Sequence, residues 1–169
     1  VFDVSITADS TSAEITRLTT AGRNAVRDGI INESVISNFT LQASTSTARP
    51  NRSDTSLDSV VDSTSASVGL SGTTVTYSGS LTWSSILTIG VVDADTGNLL
   101  AQGRLTDPVS NPTVDLSITV QNDDATSKSV LTTTGQTLCA EILSGGNPDF
   151  PQSYAYGDGT AEPTESDTS

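Results

Sequence analysis

The chain has 169 residues, with 20 acidic against seven basic side chains and a formal net charge of −13 at pH 7. This balance argues against nucleic acid and anionic membrane surfaces as partners, because both are bound through clustered Lys and Arg. No run of eighteen apolar residues occurs, which argues against membrane insertion.

The acidic residues are accompanied by many Ser and Thr residues and by a single lysine, Lys128. This composition is typical of proteins that work in saturating salt, where the Debye length falls to about 3 Å and carboxylate repulsion is screened. We therefore expect an extreme halophile as the source. An ordinary acidic extracellular protein is the alternative.

The first elements in chain order are a strand and a helix. The segment "DVSIT" at 3–7 predicts a strand. After a stretch rich in Ser, Thr and Asp, Thr19 or Thr20 is suited to cap a helix over about 19–31. The apolar stripe of this helix has spacings of three and four residues and consists of Ala25, Val26, Gly29 and Ile30.

The rest of the pattern is β-rich. "SVISNFTLQAS" at 34–44 predicts a strand, and the turn-forming residues of 47–67 predict a loop. Further strands are predicted within 72–79, 80–92, 98–105 and 114–121. "DADTG" at 93–97 lies between two apolar runs and predicts a hairpin turn. We expect a mainly β chain of α+β type, in which an antiparallel β-sandwich-like domain carries one short helix per unit.

Parts of the sequence occur twice at nearly the same spacing. "TARPNRSDTS" from Thr47 resembles "TAEPTESDTS" from Thr160, 113 positions later, and the same spacing relates "LTTAGRNAVRDGII" to "LTTTGQTLCAEIL". "DVSIT" and "DLSIT" begin at Asp3 and Asp115, 112 positions apart. In the second copy the helix stripe is Leu138, Cys139, Ile142 and Leu143.

A spacing of this length is domain-sized and exceeds the roughly 20 to 45 residues of solenoid repeats. We therefore predict a tandem array of similar units. Residues 1–9 would be the closing strand of a preceding unit, 10–121 a complete β-rich domain and 122–169 the start of the next unit.

The order of these motifs resembles small domains of tail fibres and related surface proteins of tailed viruses. The resemblance is carried by "LTTAGRNAVRDGII", by the turn in "YAYGDGTAEPTESDTS" and by "ILTIGVVDADTGNLLAQGRL", within which Ile89 to Ala101 is the most specific part. The first copy departs from the turn pattern, because Ala or Ser replaces Gly157 and Gly159 there.

The resemblance implies a virion component such as a tail fibre, a baseplate appendage, or a capsid turret or decoration. Together with the composition, it implies the virion surface of a tailed virus that infects a halophilic archaeon, hence an extracellular, high-salt location. The implied role is assembly and host attachment. The implied partners are further copies of the chain, other virion proteins, and a host cell-surface glycoprotein or glycan.

The sequence offers little for catalysis. Ser or Cys nucleophiles usually depend on a His base, and the chain has no His. Twenty acidic residues give many chance carboxylate pairs, but no motif singles out two of them as in glycoside cleavage. We expect no enzymatic activity, no catalytic residue and no cofactor.

Weak candidates for metal ligands are Asp93, Asp95 and Asp158. Asp93 and Asp95 have the spacing of the first and third ligands of a calcium loop, but no Glu stands at its twelfth position. Asp158 lies in "YGDGT". The structural interpretation, a hairpin turn at 93–97 and an ordinary turn at Asp158, is favoured over a metal site.

Glycosylation sequons begin at Asn32, Asn51 and Asn38. Asn38 lies in a predicted strand where it can face inward, so Asn32 and Asn51 are the better candidates. Cys139 has no partner for an internal disulfide, and its place in an apolar helical pattern predicts a buried free thiol.

Two further features bear on function. Arg49 and Arg52 form a small basic spot at positions where the second copy has Glu162 and Glu165, which suits contacts between units or subunits. The alternative functions are a carbohydrate-binding or adhesion module and a cellular surface or pilus protein of a halophile. Sugar binding favours exposed aromatic rings, but Trp83 lies in a predicted strand where burial is expected.

Overall fold

The fold is described here from a computed structural model, which covers residues 2–33, 35–121, 131–146 and 148–150. Within these residues the chain forms nine strands and two helices. In chain order they are β1 (Phe2–Ala8), β2 (Thr11–Leu18), α1 (Thr20–Asn32), β3 (Phe39–Ser44), β4 (Val60–Ser65), β5 (Ser67–Ser71), β6 (Thr74–Ser80), β7 (Ile86–Asp93), β8 (Leu99–Val109), β9 (Thr113–Val120) and α2 (Thr133–Ser144).

The strands form one nearly closed antiparallel sheet in the order β4-β3-β7-β8-β2-β1-β9-β6-β5. Only Ala66 separates the edge strands β4 and β5 in the sequence, so the chain itself joins the two ends of the order. The sheet must therefore fold over until its edges meet. The expectation of a mainly β fold with short helices is confirmed.

The core lies between the two facing halves of the sheet. Alternate residues of β9 (Val114, Leu116, Ile118 and Val120) point into it and are buried, as the period of two in a strand requires. From the opposite half, β7 and β8 contribute Ile89, Val91 and Ala101 to the same cluster. α2 packs on β5, β6 and β9, and places Cys139, Ala140 and Leu143 in the core.

The helix starts follow the predicted capping pattern in both copies. Thr19 caps α1 by accepting a hydrogen bond from Gly22 N at 3.1 Å, and Thr132 caps α2 by accepting one from Gly135 N at 3.2 Å. These two Thr-Gly pairs lie at equivalent positions of the repeated sequence. The prediction of Thr19 or Thr20 as the cap is thus resolved in favour of Thr19.

The repeated segments contact each other. β1 and β9 pair antiparallel with Ser5 opposite Ser117, so "DVSIT" runs alongside "DLSIT" in one sheet. The helices also meet at equivalent positions, because a Cβ built on Gly29 would lie 2.5 Å from Cγ2 of Ile142. The unit boundaries 1–9, 10–121 and 122–169 stay a prediction, and residues 151–169 of the second copy lie outside the described residues.

Several predicted elements differ from the structure. The segment 80–85, predicted as the start of a strand, precedes β7, and Trp83 in it is 45% exposed, so its predicted burial was wrong. Residues 35–38 precede β3 and do not belong to it. β2 and β5 were not predicted, and β4 lies in the segment that was predicted as a loop. Both β4 and β5 are edge strands, and most of their side chains are exposed.

Candidate binding site

The site begins with a loop, residues 45–59, that lies against the sheet and is fixed by buried polar side chains. Thr88 Oγ1 donates to Ser46 O at 3.0 Å, and Gln102 Nε2 donates to Asn51 O at 3.2 Å. Ser44 Oγ donates to the carbonyl of Asp58. Each of these three donor side chains is buried, which makes the bonds costly to break because an unpaired buried donor loses its solvation.

Apolar and helical contacts complete the attachment of the 45–59 loop. Leu57 is buried in a small cluster with Val92 and Leu99. In the middle of the loop, the carbonyl of Arg52 accepts hydrogen bonds from the backbone N and Oγ1 of Thr20, at 2.7 and 3.1 Å. The loop therefore has a defined position between the sheet and the start of α1.

Four arginines come together where this loop meets the sheet and the helix. One depression, of about 520 Å³, is lined by Arg17, Arg49, Pro50, Asn51 and Arg52. An adjoining one, of about 190 Å³, is lined by Arg17, Arg23 and Arg52 together with parts of β1 and β2. Arg17 and Arg52 line both depressions, which we call together the arginine groove.

The charge of the arginine groove contrasts with that of the chain. Among the described residues, Arg27 pairs with Asp28 at 2.7 Å and Arg104 pairs with Glu14, whereas no described carboxylate lies within 4.0 Å of the guanidinium nitrogens of the four groove arginines. The groove arginines are Arg17, Arg23, Arg49 and Arg52. Asp3 lines the smaller depression without forming an ion pair with them.

The start of α1 adds to this positive potential. Arg23 lies in the first helical turn, which contains no acidic residue, and backbone dipoles make that end of a helix positive. An arginine in this position is mildly unfavourable on its own. Guanidinium groups bind carboxylate and phosphate oxygens through paired N–H donors, so the arginine groove is suited chemically to an anionic ligand.

Two of the four groove arginines were predicted from the sequence. Arg49 and Arg52 were identified as a basic spot, whereas Arg17 and Arg23 were missed. Arg17 is brought there by its place opposite Gln102 in the pairing of β2 with β8, and Arg23 by the cap at Thr19. The position of Arg17 does not follow from the local pattern, because β2 was not predicted. Arg23 lies on the predicted helix, but no local pattern shows that the start of this helix meets the 45–59 loop.

The candidate metal ligands Asp93 and Asp95 lie in the predicted hairpin turn between β7 and β8. The Asp93 carboxylate accepts hydrogen bonds from Asp95 N at 2.9 Å and from Thr96 Oγ1 at 2.5 Å. The Asp95 carboxylate accepts from Asn38 Nδ2 at 3.2 Å and from Ser37 Oγ at 3.3 Å. The turn interpretation explains both residues, since these bonds close the turn and attach it to the start of β3.

No group of three or more Asp, Glu, His or Cys side chains suited to a metal ion occurs in the described ranges. Asp158 lies outside them.

All three sequon asparagines are exposed. The expectation that Asn38 faces inward was wrong, because it precedes β3 and its side-chain amide donates to Asp95. Asn51 Oδ1 accepts hydrogen bonds from the backbone N and Oγ of Ser53, both at 3.3 Å, at the edge of the arginine groove. Asn32 is the last residue of α1.

Cys139 is buried on α2, as predicted, and burial raises the pKa of its thiol. A raised pKa keeps the thiol protonated and unreactive at neutral pH. Its position is that of a core residue.

A second groove, of about 490 Å³, lies between α1 and the β7–β8 turn. Its lining includes Asp28 and Asp93. The Asp28 carboxylate forms an ion pair with Arg27, and the Asp93 carboxylate accepts a hydrogen bond within the turn. Its remaining lining is neutral. The arginine groove is therefore the stronger candidate for binding a charged partner.

Comparison with models of known protein families, with characterised proteins and with solved structures found no significant match. Among the helices of the described ranges, none has the length and apolar character needed to cross a membrane.

Proposed function

We propose that this chain is a non-enzymatic structural protein of a virion surface, which serves assembly and host attachment. The virion would be that of a tailed virus infecting a halophilic archaeon, and the chain would form part of a tail fibre, a baseplate appendage, or a capsid turret or decoration. The observation that carries the proposal is the arginine groove. In a chain of charge −13, four arginines that form no ion pair with any described carboxylate are suited to docking an anionic surface.

The residues that carry the resemblance to tail-fibre domains support a structural role. Ile89 to Ala101 lie in the β7–β8 hairpin, and the polar groups of its turn bond to one another and to the start of β3. Such residues build a rigid domain. A rigid domain is the element from which a fibre or appendage is assembled.

The tandem arrangement belongs to the same proposal. The equivalent caps Thr19 and Thr132 support a common origin of the two helix segments. In the proposed array, successive units of about one hundred residues would place distal domains at the host surface.

Fractionation of a culture that produces the protein tests the proposal directly. We expect the chain in purified particles at a fixed ratio to the major capsid protein, with antibody-labelled electron microscopy placing it on an appendage or on the head. Finding the chain only in the cell envelope would overturn the virion proposal in favour of a cellular surface or pilus protein.

The exposure of Trp83 favours a second candidate, a carbohydrate-binding or adhesion module. The indole is 45% exposed on the loop between β6 and β7, and an exposed ring offers a stacking surface for a sugar. Trp83 is the only tryptophan in the sequence, so its fluorescence is a specific reporter. A saturable fluorescence change of the wild-type chain on adding host surface glycans, together with loss of glycan binding by Trp83→Ala in isothermal titration calorimetry, would support this candidate. An unchanged wild-type spectrum would contradict it.

A further inference from the structure

We propose that the arginine groove binds an acidic segment of a second copy of this chain, residues 157–169. This inference rests on the proposed assembly function and names the partner of its docking site. The segment carries Asp158, Glu162, Glu165 and Asp167 and contains no basic residue.

The charges of the groove and of the segment are complementary in sign and in spacing. Arg49 and Arg52 are three residues apart, and Glu162 and Glu165, at the equivalent positions of the repeated sequence, are also three apart. Two carboxylates at this spacing can meet two guanidinium groups in one contact. Carboxylate to guanidinium pairs are often bidentate, which gives such a contact a defined geometry.

Within the described part of the chain, these cations are not engaged in ion pairs that binding would have to break. Arg49 and Arg52 are exposed, and their side chains form no ion pair with the described residues. Their backbone is held by the buried anchors of the 45–59 loop. Binding therefore loses little loop entropy, because the loop is already ordered.

The overall charge explains why pairing between copies needs such a contact. Two chains of charge −13 repel each other, so an assembly of copies needs a local attraction to offset that repulsion. The contact between the arginine groove of one copy and the acidic segment of another provides this attraction. The contact is heterologous, since different surfaces of the two copies meet, and it can propagate along a row of copies.

Charge exchange in the full chain tests the inference. One variant is Arg49→Glu with Arg52→Glu, and the other is Glu162→Arg with Glu165→Arg. Sedimentation velocity measures self-association of each protein and of an equimolar mixture, in about 0.1 M and about 1 M KCl. Circular dichroism at each salt concentration establishes that all proteins are folded.

We expect the wild-type chain to associate and each variant alone to remain a monomer. The mixture should recover association, because the acidic groove of one variant meets the basic segment of the other. A matched control, Arg27→Glu with Lys128→Glu, changes the net charge as much as the groove variant, yet leaves the groove and the segment intact. It should associate like the wild type.

Three results would overturn the inference. The first is a wild-type chain that stays monomeric, and the second is a mixture that fails to recover association. The third is a wild-type monomer that binds heparin through Arg49 and Arg52, which would assign the groove to a sulfated glycan. Each of these leaves the particle location of the chain unaffected, so failure here is distinguishable from failure of the proposed function.

Discussion

At the residue scale, the buried polar groups of the described chain are matched to partners. Tyr77 is fully buried, packs its ring 4.9 Å from that of Phe39, and donates its hydroxyl to the carbonyl of Leu143 at 2.5 Å. Burial raises the pKa of this phenol above its ordinary value, so it is a protonated donor at neutral pH. One hydroxyl thus ties β6 to the last turn of α2.

Tyr77→Phe removes this donor and leaves the Leu143 carbonyl with one hydrogen-bond partner fewer. We expect the free energy of unfolding to fall by about 1–3 kcal/mol, measured by urea denaturation. Leu70→Ala, at an exposed site on the edge strand β5, is the control and should change stability by less than about 0.5 kcal/mol. An equally small change for Tyr77→Phe would mean that α2 does not depend on this bond.

At the element scale, the two helices depend on the sheet and on each other. Thr19 is fully buried and, besides accepting from Gly22, donates to the carbonyl of Leu100 on β8 at 2.9 Å. Thr132 is only half-buried, and among the described residues its side chain has the capping bond to Gly135 alone. The cap at Thr19 thus connects α1 to the sheet, whereas the equivalent cap at Thr132 bonds to the first turn of α2.

Replacing each cap by alanine should separate these roles. We expect Thr19→Ala to cost about 2 kcal/mol of unfolding free energy and Thr132→Ala about 1 kcal/mol, because the first also leaves a buried carbonyl of β8 with one partner fewer. Chemical denaturation of the two variants side by side makes the comparison. Equal losses would contradict the additional role of Thr19.

The close approach of α1 to α2 at Gly29 and Ile142 leads to a second prediction at the element scale. Gly29→Ala improves helix propensity by about 1 kcal/mol, yet its methyl group would overlap the Ile142 side chain. We expect overpacking to dominate, with a net loss of about 1–2 kcal/mol that is partly restored by adding Ile142→Val. Gly69→Ala is the control, because its added Cβ meets no atom within 4 Å. A stabilised Gly29→Ala protein would show that the helices separate readily.

An element could be predicted when a few adjacent residues specify it, and was missed when it depends on tertiary contacts. The β7–β8 hairpin and the cap of α1 were predicted correctly, since a turn or a cap is specified by a few adjacent residues. β4 was missed because its sequence, VVDSTS, has no apolar alternation, and β5 because it is only five residues long and contains Gly69. The arginine groove joins β2, α1 and the 45–59 loop, and such an arrangement depends on tertiary pairing that no short pattern contains.

At the scale of the whole molecule, charge is the dominant property. The chain carries a formal net charge of −13, and the ion pairs among its described residues are few and largely exposed. Exposed pairs contribute little to stability, about 0–1 kcal/mol each. Self-repulsion of the folded chain is therefore the main electrostatic contribution, and salt should relieve it.

Raising KCl from about 0.1 M to about 1 M shortens the Debye length from about 10 Å to about 3 Å. We expect Tm to rise by several degrees, since each kcal/mol of stabilisation raises Tm by about 2–4 °C in a chain of this size. Calorimetry over a KCl series measures the effect, with a non-ionic osmolyte at equal osmolality as the control. A Tm that stays constant or falls with KCl would contradict adaptation to high salt.

The pairing of β1 with β9 also has a consequence for biosynthesis. Phe2 lies opposite Val120, so β1, which leaves the ribosome well before β9, must wait for β9 before its hydrogen bonds to that neighbour can form. Contacts between residues so distant in sequence slow folding, because a long loop has to close before they form. We expect nascent chains arrested before residue 113 to remain sensitive to protease, with resistance appearing only once β9 has emerged.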